Sequence, residues 1–355
     1  MTKAASRGAE VEEFILAQVA EHPADIAKVT ATQFGISRQA ANKHLARLVT
    51  EGKLTAQGST KSRTYAEPLA VHESLDLPVS KKLEEHWVWR ERVEGLLKDL
   101  PKNVVDICHY GFTEMLNNVI DHSGSPTVRV QVDRTDSEIV LRITDTGVGI
   151  FRKLVEHFGF HDEQEAALEL SKGKLTTDPK NHSGEGIFFS SRAFDSFWLL
   201  SVGLAIHVDE GTTWLLDDKL FTVGPGLDQG TGVVMKISTT SPRTLEGVFE
   251  EGYANKEDFR FSRTRVPVAL AQVGDENLIS RSQAKRLLAR LDRFEDVTLD
   301  FRGVESIGQA FADEIFRVFA AAHPQVRLTA SHTTPGVQRM IKRALSLAEE
   351  NRGAS

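Results

Sequence analysis

Apolar residues recur at helical spacing from Val11 to Val19 and again from Ile26 to Phe34, where Gly35 breaks the run. Ser37 reads as the N-cap of a third helix, Arg38 to Thr50, with Ala41, Leu45, Leu48 and Val49 facing inward and Gly52 just past its end. Two short extended runs between Lys53 and Tyr65 flank the turn-prone Gln57-Gly58-Ser59, which predicts a small hairpin. Glu67 to Pro78 is polar and proline-bounded and reads as a connector. A helix from about Val79 to Leu100 follows and stops before Pro101.

Asn103 to His122 carries Val104, Ile107, Cys108, Phe112, Met115, Leu116 and Val119 on one helical face. Beside it runs a polar stripe of Glu114, Asn118 and Asp121 or His122. Positions four apart share a side of a helix, so the Glu114 carboxylate and the Asn118 amide can meet one ligand together. Glu138 to Thr144 alternates as a strand and ends in DTGVGI, Asp145 to Ile150. A strand-end aspartate can accept a hydrogen bond from an amino group, and Gly147 and Gly149 let the backbone approach a ligand closely. In HSGEGIFFSS, Gly184 and Gly186, followed by Ile187, open a helix running through Arg192, whose N-terminus can seat phosphate. Phe197 to Asp209 and Thr213 to Leu216 read as strands, and QGTGVVMKIS places Gly230-Thr231 at the head of another. After Ser241-Pro242 and a charged stretch to Arg263, strands and helices alternate. The strands are Val266 to Val273, Val297 to Phe301 and Val326 to Ala330; the helices are Ser282 to Arg293, Ala310 to Ala322 and Val337 to Ala348. This alternation implies an α/β sandwich.

A chain of 355 residues exceeds one ordinary core, and three domains are expected. Apolar residues make up 40% and charged residues 26%, a globular balance. The single cysteine, Cys108, rules out an internal disulfide and fits a reducing compartment. With neither a secretory leader nor a membrane-length apolar run, the expected location is cytoplasmic, away from membranes. The net charge of −7 is uneven: residues 1–66 hold nine Lys/Arg against six Asp/Glu, a basic head on an acidic body. From Ile36 to Ala66 the ratio is six to one.

The segment FGISRQAANKHLARLVTEGKL closely resembles the recognition unit of bacterial winged helix-turn-helix regulators. That resemblance implies that the third helix, capped by Ser37, turns Arg38, Gln39, Asn42 and Lys43 to the major groove of double-stranded DNA. Lys61 and Arg63 on the wing would reach phosphate or the minor groove. The alternative is a small helical domain for protein contacts with its basic residues solvated. His72-Glu73 with Pro78 is a poor match to the phosphoacceptor box of sensor histidine kinases, and His72 is expected to be a surface histidine.

TEMLNNVIDHS, DTGVGI, HSGEGI and QGTG, in that order and spacing, resemble the motif boxes of the GHKL (Bergerat-type) ATP-binding fold of DNA gyrase, heat-shock chaperones and histidine kinases. The resemblance implies an adenine nucleotide with Mg2+ as cofactors, Glu114 as general base and Asn118 as magnesium ligand. It implies a nucleotide-binding set of Asn118, Asp121, His122, Asp145, Gly147, Gly149, Ile150, Gly184, Gly186, Ile187 and Thr231, with Asp145 on the adenine amino group. Phe151 to Ser183 would be the ATP lid, in which Lys172, Lys174 and Lys180 either reach phosphates or form a solvated charge run. Glu185 departs from the common pattern and would repel phosphates unless it points away. VTLDFRGVESIGQAFADEIFRVF resembles STAS domains, the fold of anti-anti-sigma factors. Gly308, Gln309 and Ala310 stand where those factors carry a phosphorylatable serine, which argues against a phosphoswitch, and Ser306 reads as a cap.

The expected architecture is therefore multidomain α+β: a winged helix-turn-helix (1–66), a linker and helix (67–102), a GHKL α/β sandwich (103–240) and a STAS-like α/β domain (241–355). The expected function is an ATP-binding, slowly hydrolysing, DNA-binding transcriptional regulator, expected as a homodimer and able to engage a regulatory protein partner. An anti-sigma-type protein serine kinase and a non-hydrolysing nucleotide sensor are the alternatives.

Overall fold

The computed structural model describes residues 3–59, 62–180, 183–201, 203–209, 211–217, 229–252, 261–272 and 277–353. They fall into two compact units, Met1–Glu73 with Asp133–Glu138, and Ser74–Val132 with Ile139–Ser355. In the first, α1 (Lys3–Gln18), α2 (Ile26–Phe34) and α3 (Arg38–Thr50) precede an antiparallel pair, β1 (Thr55–Gln57) and β2 (Thr64–Ala66), with Thr55 opposite Ala66. The apolar stripes close one small core of Val11, Ile15, Val19, Ile26, Leu45, Leu48, Leu54 and Tyr65. The chain leaves α2 through Gly35 at φ +61°, and Ser37 caps α3 by accepting the Ala40 N–H at 3.2 Å.

The expected connector is in part a strand, β3 (Val71–Pro78). Its burial alternates, with Leu75 buried and Leu77 half-buried between exposed neighbours. The helix expected from Val79 begins only at α4 (Glu85–Val88), which runs through a π-helical turn, Trp89–Val93, into α5 (Glu94–Leu97). The next elements are α6 (Lys102–Asn118), β4 (Thr127–Arg134), β5 (Glu138–Asp145), α7 (Ile150–Phe158), α8 (Glu163–Lys172) and α9 (Gly186–Ala193). Strands β6 (Ser196–Ser201), β7 (Leu204–Asp209), β8 (Thr212–Asp217) and β9 (Gly232–Ser238) complete a seven-stranded sheet of order β3-β4-β5-β9-β6-β7-β8. Helix α6 packs on α9 and β9, and its cysteine, Cys108, is buried among apolar side chains that push the thiol up to about 12.

Beyond the sheet, α10 (Leu245–Gly252) occupies part of the stretch that reads only as charged. Then come β10 (Arg263–Pro267), α11 (Arg281–Leu288), β11 (Asp296–Asp300), α12 (Gln309–Asp313), α13 (Ala320–Ala322), β12 (Arg327–Ser331) and α14 (Pro335–Gly353). The strands form a parallel sheet of order β10-β11-β12. β10 ends at Pro267, where a 3-10 turn, Val268–Ala271, replaces the expected continuation; Val273 lies outside the described residues. Gly308, not Ser306, precedes α12. One apolar cluster runs from Leu75 through Phe112, Ile143 and Phe189 to Leu287, Phe311 and Ala344, so the two sheets of this unit share a core.

Candidate functional site

A cavity of about 340 Å³ opens where α6, the end of β5, the start of α7, the segment after α8, the start of α9 and the head of β9 meet. Of the residues singled out from sequence, Glu114, Asn118, His122, Asp145, Gly149, Ile150, Gly184, Gly186, Ile187 and Thr231 line it. Asp121 and Gly147 do not. Helix α6 passes into a π-helical turn, Val119–Ser123, and the wider turn brings His122 rather than Asp121 to the wall and leaves Asp121 exposed.

Asp145 closes β5 at 2% exposure. Its N–H donates to the Thr231 carbonyl at 2.9 Å, and its Oδ1 accepts the Gly147 N–H at 2.8 Å. Burial pushes its carboxyl above the ordinary aspartate range, against the opposing pull of the Gly147 and Thr231 backbones. Gly147 holds Asp145 and lets the chain approach closely: a Cβ there would lie 2.0 Å from the Ser123 carbonyl oxygen. Thr231 ties the head of β9 to α7, its hydroxyl accepting the Ile150 N–H at 3.0 Å.

Glu114 and Gly186 explain one another. A Cβ at residue 186 would stand 2.0 Å from the Glu114 Oε2, so glycine lets the first turn of α9 come up to that carboxylate without displacing the Glu114 side chain. Glu185 is absent from the cavity wall. It faces the Ser183 hydroxyl and the charge of Lys174, which lower its pKa while burial raises it more.

Several lining residues escaped the sequence reading, among them Asn117, Ser123, Lys153, Thr176 and Thr177. Lys153 brings a cation to the wall; its Nζ donates to the His122 carbonyl at 2.7 Å. Partial burial lowers its pKa, and Asp121 opposes that shift. Its signal was available, one helical turn beyond Ile150. The lid lysines lie elsewhere. Lys172 is buried away from the cavity, Lys174 donates to the Arg293 carbonyl at 3.1 Å, and Lys180 is not on the wall.

In the other unit, Arg38, Gln39, Asn42 and Lys43 are all exposed on α3, Ser37 serves as its cap, and exposed Arg63 lies 5.5 Å from the Tyr65 ring centre. Lys61 lies outside the described residues. His72 sits on β3 with its Nδ1 2.6 Å from the Asp133 carboxylate.

The chain is similar to known families over two stretches. Residues 104–213 match the model of the Histidine kinase-, DNA gyrase B-, and HSP90-like ATPase family, so the cavity lies in an ATP-binding domain of the GHKL type. Residues 283–338 match the STAS-like domain of unknown function (DUF4325). No curated protein matches the chain. No helix among the described residues is long and apolar enough to cross a membrane.

Proposed function

We propose that this chain is an ATP-dependent DNA-binding transcriptional regulator, in which the nucleotide state of the cavity alters affinity for DNA. The observation that carries the nucleotide half is convergence: Glu114, Asn118, Asp145, Gly149, Gly186 and Thr231, drawn from four separate segments, wall one cavity. The buried Asp145 carboxylate would accept from the adenine amino group, and Glu114 would orient and deprotonate the attacking water. The first turn of α9 and Lys153 would meet the phosphates. An ion carried by the nucleotide phosphates would take the Asn118 side-chain oxygen, on the cavity wall, as its protein ligand. Such an ion supplies charge neutralisation on the phosphates.

The DNA half is supported by the exposed polar face of α3, where Arg38, Gln39, Asn42 and Lys43 compete with no core contact. Selection of genomic fragments by the purified protein, with and without ATP and magnesium, tests both halves. Fragments enriched in a nucleotide-dependent way are the expected result. No enrichment under either condition would remove the regulator reading.

A protein serine kinase acting on a partner is the second reading, favoured by the STAS-like match at residues 283–338. Labelled ATP separates the two: free phosphate marks hydrolysis, and label on a partner marks a kinase.

A further inference from the structure

The segment between α8 and α9 touches two things at once. At one end, Lys172 is 1% exposed, and its ammonium donates to the Glu169 Oε1 at 2.5 Å, the Ala289 carbonyl at 2.9 Å and the Arg286 carbonyl at 3.2 Å. Three acceptors match the three protons of an ammonium. Two of them lie at the end of α11, where the helix presents its negative pole; the Arg286 carbonyl also accepts the Ala289 N–H at 3.4 Å. The Lys172 carbonyl in turn accepts from the Thr264 hydroxyl of β10 at 2.8 Å. Glu169 is 3% exposed, with Arg290 Nε 3.9 Å from its other oxygen. Burial works against charge on both partners, lowering the pKa of Lys172 and raising that of Glu169. Their mutual attraction opposes both shifts.

At the other end the same segment is cavity wall. The chain turns at Gly173, φ +84°, and Lys174, whose ammonium lies 4.7 Å from the Phe294 ring centre, and it delivers Leu175, Thr176 and Thr177 to the cavity. Gly184 then packs directly on the Leu175 backbone. Only two residues, Gly173 and Lys174, separate an ammonium seated in the C-terminal domain from the Leu175 side chain on the cavity wall.

A buried ion pair is a costly way to join two surfaces, and it repays the loss of water only when every donor and acceptor is met. Here the satisfaction of Lys172 depends on the end of α11, so the pair is complete only with α8 seated there. The arrangement therefore fixes register more than it adds adhesion.

We propose that the C-terminal domain positions the lid of the nucleotide site, with Lys172 as the positioning residue. Nucleotide binding and the seating of α8 on α11 then favour one another, because each requires the Leu175–Thr177 segment in the same place. The proposal rests on the reading of the cavity as a nucleotide site. It gives the C-terminal domain a job that needs no phosphorylatable serine: a partner that favours or disfavours the seating of α8 on the end of α11 changes ATP affinity in the same direction.

The test is the full chain carrying Glu169→Leu with Lys172→Met, a pair that removes both buried charges and keeps their bulk. Three quantities are read: the thermal midpoint as a control for folding, amide exchange at Leu175–Asp178 without nucleotide, and ATP affinity by calorimetry. The expected result is a folded protein whose lid amides exchange faster and whose ATP affinity falls, each on the order of tenfold. In the parent, ATP should slow exchange at the end of α11; in the variant it should not. Unchanged lid exchange in the folded variant overturns the proposal, whatever ATP does. A parent that binds no ATP, with the difference in lid exchange intact, overturns the nucleotide reading and leaves the docking in place. Should the double variant not fold, Lys174→Met gives up the Arg293 carbonyl from a half-buried position. It must then move both readouts the same way by a smaller amount; no movement in either also overturns the proposal.

Discussion

Helices α6 and α3 each carry a row of polar side chains, and the rows are set in opposite surroundings. On α6, Glu114 and Asn118 are half-buried and turned into a cavity whose other walls come from β5, α9 and β9. On α3, Arg38, Gln39, Asn42 and Lys43 stand out from the surface with no facing wall. A concave site constrains its residues mutually, as Gly147 is constrained by the Ser123 backbone, so each role can be argued from its neighbours. A convex face carries charge and shape, and its partner must supply the other half. The consequence is a difference in how each should respond to substitution: steep and specific in the cavity, graded and additive on α3.

The steepest effect is expected at Glu114. Glu114→Ala should keep ATP binding and lose turnover by about 10²- to 10⁴-fold, the range typical of general-base removal. Equal rates of phosphate release in parent and variant would show that the activity belongs to another group. Asp145→Asn comes next. The amide must turn an N–H toward either the adenine amino group or the Gly147 N–H that now donates to Oδ1, so one of the two hydrogen bonds cannot form. The expected weakening is about 1 to 3 kcal/mol, or roughly five- to 150-fold in Kd, and unchanged calorimetric affinity would remove the nucleotide assignment.

On α3 the response should be gradual. Arg38→Ala and Lys43→Ala should each lower the slope of log DNA affinity against log salt by about 1 for every phosphate the side chain neutralises, with ATP binding untouched. A salt slope equal to the parent's would mean that these side chains meet no phosphate. The mildest effect is one of pH. Asp145 holds its proton to higher pH than an ordinary aspartate, because burial disfavours the charged form. ATP affinity should therefore decline as pH falls through that raised value. The same group acts on folding with the opposite sign: the unfolded aspartate ionises first, at about 3.9, so its contribution to the stability of the nucleotide-free protein decreases as pH rises across the window. Titrating both quantities in parent and Asp145→Asn checks the assignment; parallel curves would refute it.

Much of the cavity was legible because widely separated motifs carry meaning only if they converge. Asp145, Gly149, Gly186 and Thr231 could each be an ordinary turn or strand end, and a shared wall accounts for all of them. What stayed hidden depended on geometry outside any local window. The π-helical turn Val119–Ser123 decides between Asp121 and His122, and helical spacing alone left both open. β3 resembles a linker because a strand with one exposed face alternates charged residues with Leu75 and Leu77 and so looks polar. Lys172 has the sequence signature of a solvated lysine, yet its carbonyl acceptors lie 114 and 117 residues away. No spacing rule reaches that far.

The division of apolar clusters also bears on how the molecule comes apart under heat. The helices and hairpin of residues 11–65 close their own small core, whereas a single cluster joins the ATP-binding sheet to the parallel sheet that follows it. Scanning calorimetry of the full chain should then resolve two heat-absorption peaks rather than three, with the enthalpy divided in proportion to the length of chain in each unit. The nucleotide and STAS-like regions, distinct as families, would melt as one cooperative block, and a fragment cut between them near Ser241 would leave Phe188 and Phe189 without the Phe261 ring that each now packs against.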